Sequence, residues 1–515
     1  MDLIFFIYDF TYPSIIPAAV LLPEWDLLWH QFRNFDRVDR SAKLNLVIDL
    51  FCRSHHPMPV IESASPHALR RGIGGERLRW ETIGNVLMMA KCASLHINRS
   101  NLARGIPGFR EAGEWCAQFE EIIECFIELA STLPVWDELS LAGNSQLVHS
   151  SFAEVASSVY TAGFHRVTAP VEGQLEFIPQ WRRRIFAMVY TMDKRLAIFG
   201  GRPPLLTRQY CDLEPPADVN LDNRGVSETS GEGALIDGIG FNSKDEYCPN
   251  TFIRLRFTLA TIKEEILELY LGTNTLDISD KASQLLDSLD ATWHSCPSHM
   301  QYTNDMWQNA RLSCLEILTQ LYIYLDLLHS RLLILCQMRR EATQENHQPL
   351  LTAAQDILSS LLATSKHRTR VKATIPDLAP LFLPYGLLSS EILLSKLRHH
   401  GPYTPENRET EQSIPYPETI CDLTAFASCL AWVSPAGTRN DKCCQKAQAR
   451  LEQILGRIRA PARTPGAADP DPTISGGSDY PFPRPSAEGY SSRLAFSFFR
   501  RWGLSEMELG YAPFV

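Results

Sequence analysis

The chain contains 13 cysteines, yet no two are spaced as C-x2-C. Close pairing of that kind is what lets thiolates enclose zinc. Cys443 and Cys444 are adjacent, and Cys116/Cys125 and Cys421/Cys429 stand too far apart to replace such a pair. No secretory leader is visible, so these residues read as free thiols in a reducing compartment. Enzyme signatures are missing too: there is no H-E-x-x-H, no G-x-S-x-G and no G-x-x-x-x-G-K-[ST]. Gly72, Gly74 and Gly75 lack both the preceding strand and the spacing of a phosphate-cradling loop. The doublets His55/His56 and His399/His400 point about 100° apart on a helix and make poor chelates. No alternation of β period and no repeat is found.

Positive charge is also short. The formal net charge is −10, so the chain as a whole is not a surface for coating nucleic acid, although a local basic patch is compatible with it. Long uninterrupted apolar runs are absent. Leu3 to Leu22 is broken by Asp9, Pro13 and Pro17 and no basic residue precedes it. Leu312 to Cys336 contains Glu316, Asp326, His329 and Arg331. An Asp or Arg at a bilayer centre costs roughly 2.5–3.5 kcal/mol, so this run reads as a buried helix of a soluble bundle, and no membrane partner is expected. The glutamates at 114, 120, 121, 124 and 128 read as the solvated face of a helix.

What is present is helix. The 515 residues are 45% hydrophobic and 21% charged, values of a soluble globular protein large enough for a sizeable core. Helical spacing marks Glu76 to His96, Glu111 to Leu133, Asn144 to Gly163 with Gly163 as its cap, Thr251 to Tyr270, Ser279 to Trp293, Thr303 to Arg340, Gln348 to Lys366, Pro417 to Val433 and Asn440 to Arg459. Pro376, Pro380 and Pro384 are read as breaking the segment before a helix over Tyr385 to His400.

The strongest single stretch runs from Pro179 to Pro216. Trp181, Ile185, Val189, Met192, Leu196 and Phe199 recur every three or four residues and line one helix face. Arg182, Arg183, Asp193, Lys194 and Arg195 fall largely off that stripe. Gly200 and Gly201 stop the helix, and Pro203 and Pro204 force an extended exit.

An aromatic-rich helix that opens on an Arg run, carries an Asp followed by basic residues and ends in Gly-Arg-Pro-Pro resembles a known signature. It is similar to the middle homology region of fungal zinc-binuclear-cluster transcription factors. The residues that carry the likeness are Trp181, Arg183, Arg184, Phe186, Tyr190, Asp193, Arg195, Gly201, Arg202, Pro203 and Pro204, with Asp212 and Pro215 downstream. The resemblance covers about Leu22 to Leu271, and nothing after about Arg340 matches it.

The resemblance implies an all-α, multi-helix antiparallel assembly of the fungal transcription factor regulatory-domain type. The expected organisation is an N-terminal segment 1–22, a regulatory domain 23–272 with a flexible loop 221–247, a helical region 273–459, a disordered linker 460–487 and an aromatic and acidic tail 488–515. That tail reads either as an activation segment or as a terminal helix docked on its own domain. The family's zinc cluster is absent from this chain, so no cofactor is expected, and sequence-specific DNA binding by this chain alone is not expected either. Whether the cluster was lost, precedes the chain in a longer gene or is dispensable is left open. A nuclear regulator follows, acting with transcription machinery or coactivator proteins, with a DNA-binding partner or as a homodimer, and with a small-molecule effector. Relatives often control catabolic or secondary-metabolite genes. Arg202, between Gly201 and Pro203, is the expected tie from the turn to a neighbouring helix. A helical enzyme or metabolite-binding protein and an interaction scaffold are the competing readings.

Overall fold

The computed structural model describes residues 14–21, 35–56, 77–97, 152–166, 177–222, 236–273, 277–341, 348–399, 416–434 and 439–459, apart from a few positions inside these ranges, and the single residues Leu28, Phe32, Leu69 and Trp502. The expectations for Glu111 to Leu133, the 460–487 linker and nearly all of the tail lie outside them.

Helices carry the architecture: α1 (Arg40–Ser54), α2 (Trp80–Ile97), α3 (Phe152–Thr161), α4 (Phe177–Gly200), α5 (Pro249–Leu271), α6 (Ile278–His294), α7 (Cys314–Glu341), α8 (Gln348–Lys366), α9 (Ile375–Leu381), α10 (Leu387–His399), α11 (Tyr416–Leu430) and α12 (Arg439–Arg459). Among the described residues there is no strand, and the β pairing is a single antiparallel bridge between Ile236 and Asn242. The fold is all-α, as the spacing of apolar residues requires.

Packing runs as a relay. α4 lies chiefly on α5, and α5 lies on α6 and α7. α7 in turn carries α8, which carries α10 and α11, and α12 packs on α11. One cluster of buried side chains reaches from Ile15 to Leu455 and includes Trp502. It passes without interruption across residue 272, where the sequence placed a boundary. Among the described residues, two helical spans, Cys314–Met338 and Asp377–Arg398, are long and apolar enough to cross a bilayer, and 78% and 94% of their most apolar windows are buried inside the protein.

Two expectations are corrected. The segment from Thr303 is not one helix to Arg340. It begins as a 3-10 turn over Asn304–Gln308, pauses, and restarts at Cys314. Trp307 is buried there, with its indole N–H donated to the Tyr302 hydroxyl at 3.0 Å. The Arg370 guanidinium collects the backbone carbonyls of Trp307, Asn309 and Leu312. The restart is a capping box: the Ser313 amide donates to Glu316 at 2.6 Å and the Glu316 amide to the Ser313 hydroxyl at 3.1 Å.

The second correction concerns Pro376, Pro380 and Pro384, which do not break their segment. Helix α9 contains Pro380 and continues through a π turn, Phe382–Gly386, directly into α10. Pro376 falls in the first turn of α9, where a proline is tolerated, and the wider π turn accommodates the ring of Pro384. Gly386 is needed there for a different reason. A Cβ at that position would stand 2.3 Å from the Phe426 ring of α11, so only a bare backbone admits this packing.

Of the 221–247 loop, residues 236–242 return to the core. Asp218 accepts from the Asn242 amide at 3.0 Å and from its side chain at 2.6 Å, closing the loop base.

Candidate functional site

Helix α4 is buried on all sides. Nineteen of its 24 residues are buried, including Arg183, Arg184, Asp193, Lys194 and Arg195, so the polar flank read from the sequence is not a solvated face. Its apolar stripe follows the expected spacing. Trp181 and Ile185 are fully enclosed and Val189 is 2% exposed, and each such side chain contributes roughly 1.5–3 kcal/mol by leaving water. Phe186 and Tyr190 meet Phe257 of α5 with ring centroids 6.0 and 5.2 Å apart. The charges are a different problem, because an unpaired ion here would be prohibitively costly. Three sets of partners solve it.

The first set lies at the helix entry. Arg184 is completely buried and donates to the Ser14 carbonyl from Nε at 2.8 Å. From Nη1 it reaches the Asp222 carboxylate at 2.8 Å and the Asn250 side chain at 3.3 Å. Asp222 also accepts the Ala18 amide at 2.8 Å, and the Trp181 indole donates to the Ile15 carbonyl at 3.1 Å. Arg183 pairs with Glu214. The entry therefore fastens residues 14–18, the 214–222 loop and the start of α5 to a single turn of helix. Asp218 completes the knot, accepting from the Thr251 hydroxyl and the Cys248 thiol, each at 2.6 Å. Burial, then Asp218, push that thiol up to about 12.

The second set lies at the exit and explains the Gly-Gly-Arg-Pro-Pro turn. Gly201 has φ +57, the left-handed conformation, and the Arg202 amide donates back to the Ala197 carbonyl at 3.1 Å. This is a Schellman cap. The chain then doubles back onto its own helix, where Asp193 accepts the Leu205 and Leu206 amides, both at 2.9 Å. Lys194 is fully buried between Asp193 at 2.9 Å and Glu264 of α5 at 3.0 Å, and it donates to the Leu206 carbonyl. Its ammonium sits 3.8 Å from the centre of the Tyr190 ring. Glu264 accepts the Tyr190 hydroxyl and the Arg208 amide, the latter at 2.8 Å. Burial and then that bond to Glu264 raise the Tyr190 phenol far above its ordinary range. Pro203 and Pro204 hold the segment extended between cap and clamp. Arg202 itself is exposed, and Arg208, farther along the same segment, pairs with Glu265 and Glu268 of α5.

The third set joins α4 to the second half of the chain. Arg195 donates to the Tyr322 hydroxyl of α7 and, at 3.2 Å, to the Pro380 carbonyl. That carbonyl needs a donor from outside, because Pro384, four residues on, has no N–H. Beside it, Lys263 of α5 pairs with Asp326 of α7, which also accepts the Tyr385 hydroxyl of the π turn at 2.8 Å. Burial acts to raise the Asp326 carboxyl, but the charges of Lys263 and Arg256 prevail and hold it at about 2. His329 is buried against Phe199 and Tyr385, with ring centroids 6.3 and 5.4 Å away. Burial and then the Lys263 charge lower it to about 3, so it is neutral.

The signature residues thus converge on one helix and the turn after it, and the charged groups of that helix find partners from residue 14 to residue 380. Sequence reading missed Asp222, Lys263, Glu264, Asp326, His329 and Tyr385. A signal existed: Asp326 and His329 were the charged interruptions of an apolar run, and Lys263 and Glu264 sit between the apolar Ile262 and Ile266. Among the described residues, no three His, Cys, Asp or Glu side chains gather as a metal site. The arrangement is suited to holding helices in register and transmitting a change of packing, and its titratable groups are engaged with one another.

Residues 139–295 match the family model described as Fungal specific transcription factor domain. The match spans α3 to α6 and has α4 and its turn near its centre. No curated protein and no solved structure matches the chain at a significant level.

Proposed function

We propose that this chain is a nuclear transcription regulator of RNA polymerase II genes, in which the domain at 139–295 restrains or transmits activity by binding and does no chemistry. The observation that carries the reading is the coincidence of that domain match with the ionic hub of the fold. The signature residues of α4 are the ones that tie α5, α7 and α9 together. A ligand or partner with different affinity for two packings of these helices would shift their populations. In this scheme a DNA-binding module or partner outside these residues selects the promoter, and coactivator proteins or the transcription machinery carry the output. A small-molecule effector fits the same scheme.

The test tethers the full chain, through a heterologous DNA-binding module, upstream of a reporter in a fungal host, with a fluorescent tag to follow its location. The expected result is nuclear accumulation and a several-fold change in reporter transcript relative to the module alone. A stably folded nuclear fusion that leaves the transcript unchanged on several promoters would defeat the proposal.

A further inference from the structure

The last described helix, α12, has two unlike faces. Cys444, Ala447, Leu451 and Leu455 are buried on one. At 100° per residue, Lys442, Lys446, Arg450 and Arg457 fall within about 80° of one another on the other. Lys442, Lys446 and Arg457 are exposed and Arg450 is half-buried. The two carboxylates of the helix, Asp441 and Glu452, lie more than 100° from the middle of this stripe. The stripe runs for about 23 Å at 1.5 Å per residue. It sits on a chain whose formal net charge is −10.

Gly456 borders the stripe. A glycine inside a helix costs roughly 0.8–1 kcal/mol relative to alanine, and nothing lies within 4 Å of where its Cβ would be. Packing among the described residues gives no reason for a bare backbone there. A helix that must lie close against another molecule does give one.

We infer that this face of α12 lies along the phosphate backbone of duplex DNA, as a contact independent of sequence and outside residues 139–295. Duplex DNA presents one phosphate per about 1.7 Å of axis, so every cation of the stripe has a partner within its length. A protein partner fits less well. Stable protein interfaces centre on apolar or aromatic anchors, and none of the exposed large hydrophobic residues described lies on α12. A lipid surface fits less well still, because the apolar face a membrane would take up is already buried against α11. The choice of duplex DNA rests on the regulator reading. The existence of a polyanion-binding face does not.

The experiment measures binding of the whole purified chain to two unrelated labelled duplexes between 50 and 200 mM salt. Four phosphate contacts give a slope of log affinity against log salt of about −3.6, a fall of roughly 150-fold over that range. The double variant Lys446→Gln, Arg457→Gln should halve the slope to about −1.8, a fall of roughly 12-fold, with an unchanged melting temperature. Gly456→Leu should weaken binding at every salt concentration and leave the slope unaltered. Equal slopes for wild type and double variant, no binding at 50 mM, or competition by polyglutamate as effective as that by duplex would each overturn the inference. The tethered reporter does not depend on this contact. A failed titration with an active reporter removes the α12 contact alone, and an inert reporter with a positive titration removes the regulator reading alone.

Discussion

Replacing Gly201 tests the account of the turn most directly. The residue holds φ +57 at the end of α4, immediately before the segment that Asp193 and Lys194 clamp. A side chain there brings Cβ against the following carbonyl, at a cost of roughly 1–2 kcal/mol for alanine. Valine adds a second branch at Cβ, so about 2–3 kcal/mol is expected. Asparagine tolerates this conformation and should cost least. If the turn relaxes instead of accepting the strain, the Leu205 and Leu206 amides leave Asp193, and two bonds to a buried carboxylate are lost at roughly 1.5–3 kcal/mol each. The chain takes whichever route costs less, so this loss caps the effect. While the turn holds, the cost rises in the order Asn, Ala, Val. Unfolding entropy of about 2.1 cal/mol/K per residue over 515 residues amounts to about 1.1 kcal/mol/K. In one cooperative transition a loss of 2 kcal/mol thus lowers the midpoint by only about 2 °C. Urea titrations at fixed temperature, with the denaturant slope compared across variants, resolve such differences. Three variants indistinguishable from wild type, or valine milder than asparagine, would refute the reasoning.

Other expectations follow from the same geometry. Lys194→Met leaves Asp193 and Glu264 buried without their shared cation and should cost roughly 3–5 kcal/mol, read by urea unfolding; adding Glu264→Gln should recover part of the loss. Two buried groups pull stability in opposite directions as pH drops below 6.5: the Asp377 carboxyl, pushed up to about 8 by burial, takes up its proton first in the folded chain and adds stability, and His329 removes it. His329 is held at about 3, so the unfolded chain takes up its proton first and the contribution, of order 3–5 kcal/mol, is gone near pH 3. Asp326, held at about 2, adds a loss that begins near pH 3.8. His329→Phe should remove the loss between pH 6.5 and 3, so the stability of the variant relative to wild type should rise as pH falls through that window, and an unchanged difference would remove His329 from it. Gly386→Ala should destabilise by about 1–3 kcal/mol, because its methyl must displace the Phe426 ring, and Phe426→Leu should relieve part of the cost. Gly456→Ala, with no described atom near its Cβ, should raise the free energy of unfolding read from urea titration by about 0.5–1 kcal/mol.

The sequence made α4 and its turn legible because both signals are local. Apolar spacing defines a helix face, and Gly201 followed by two prolines defines a stop. The burial of the remaining faces was not legible, because the partners of Arg184, Lys194 and Arg195 lie 38, 70 and 127 residues away at Asp222, Glu264 and Tyr322. A charged residue off an apolar stripe looks solvated until its counter-ion is placed. The proline segment misled for a related reason. A proline inside a helix is read as a break when its orphaned carbonyl has no donor, and the donor, Arg195, comes from another helix. The pause before α7 was readable in the Ser313 and Glu316 pair, but the apolar run on either side masked it.

The ion pairs of α4 and α5 also bear on the bounds of the matched segment. A fragment holding only residues 139–295 would keep Arg184, Arg195 and Lys263 but lose Ser14, Tyr322, Pro380 and Asp326. It would expose apolar helix faces and strand cations at the same stroke. Within this chain the matched segment is covered and balanced from beyond its own bounds: α7 lies over α5, and Asp326 is the counter-ion of Lys263.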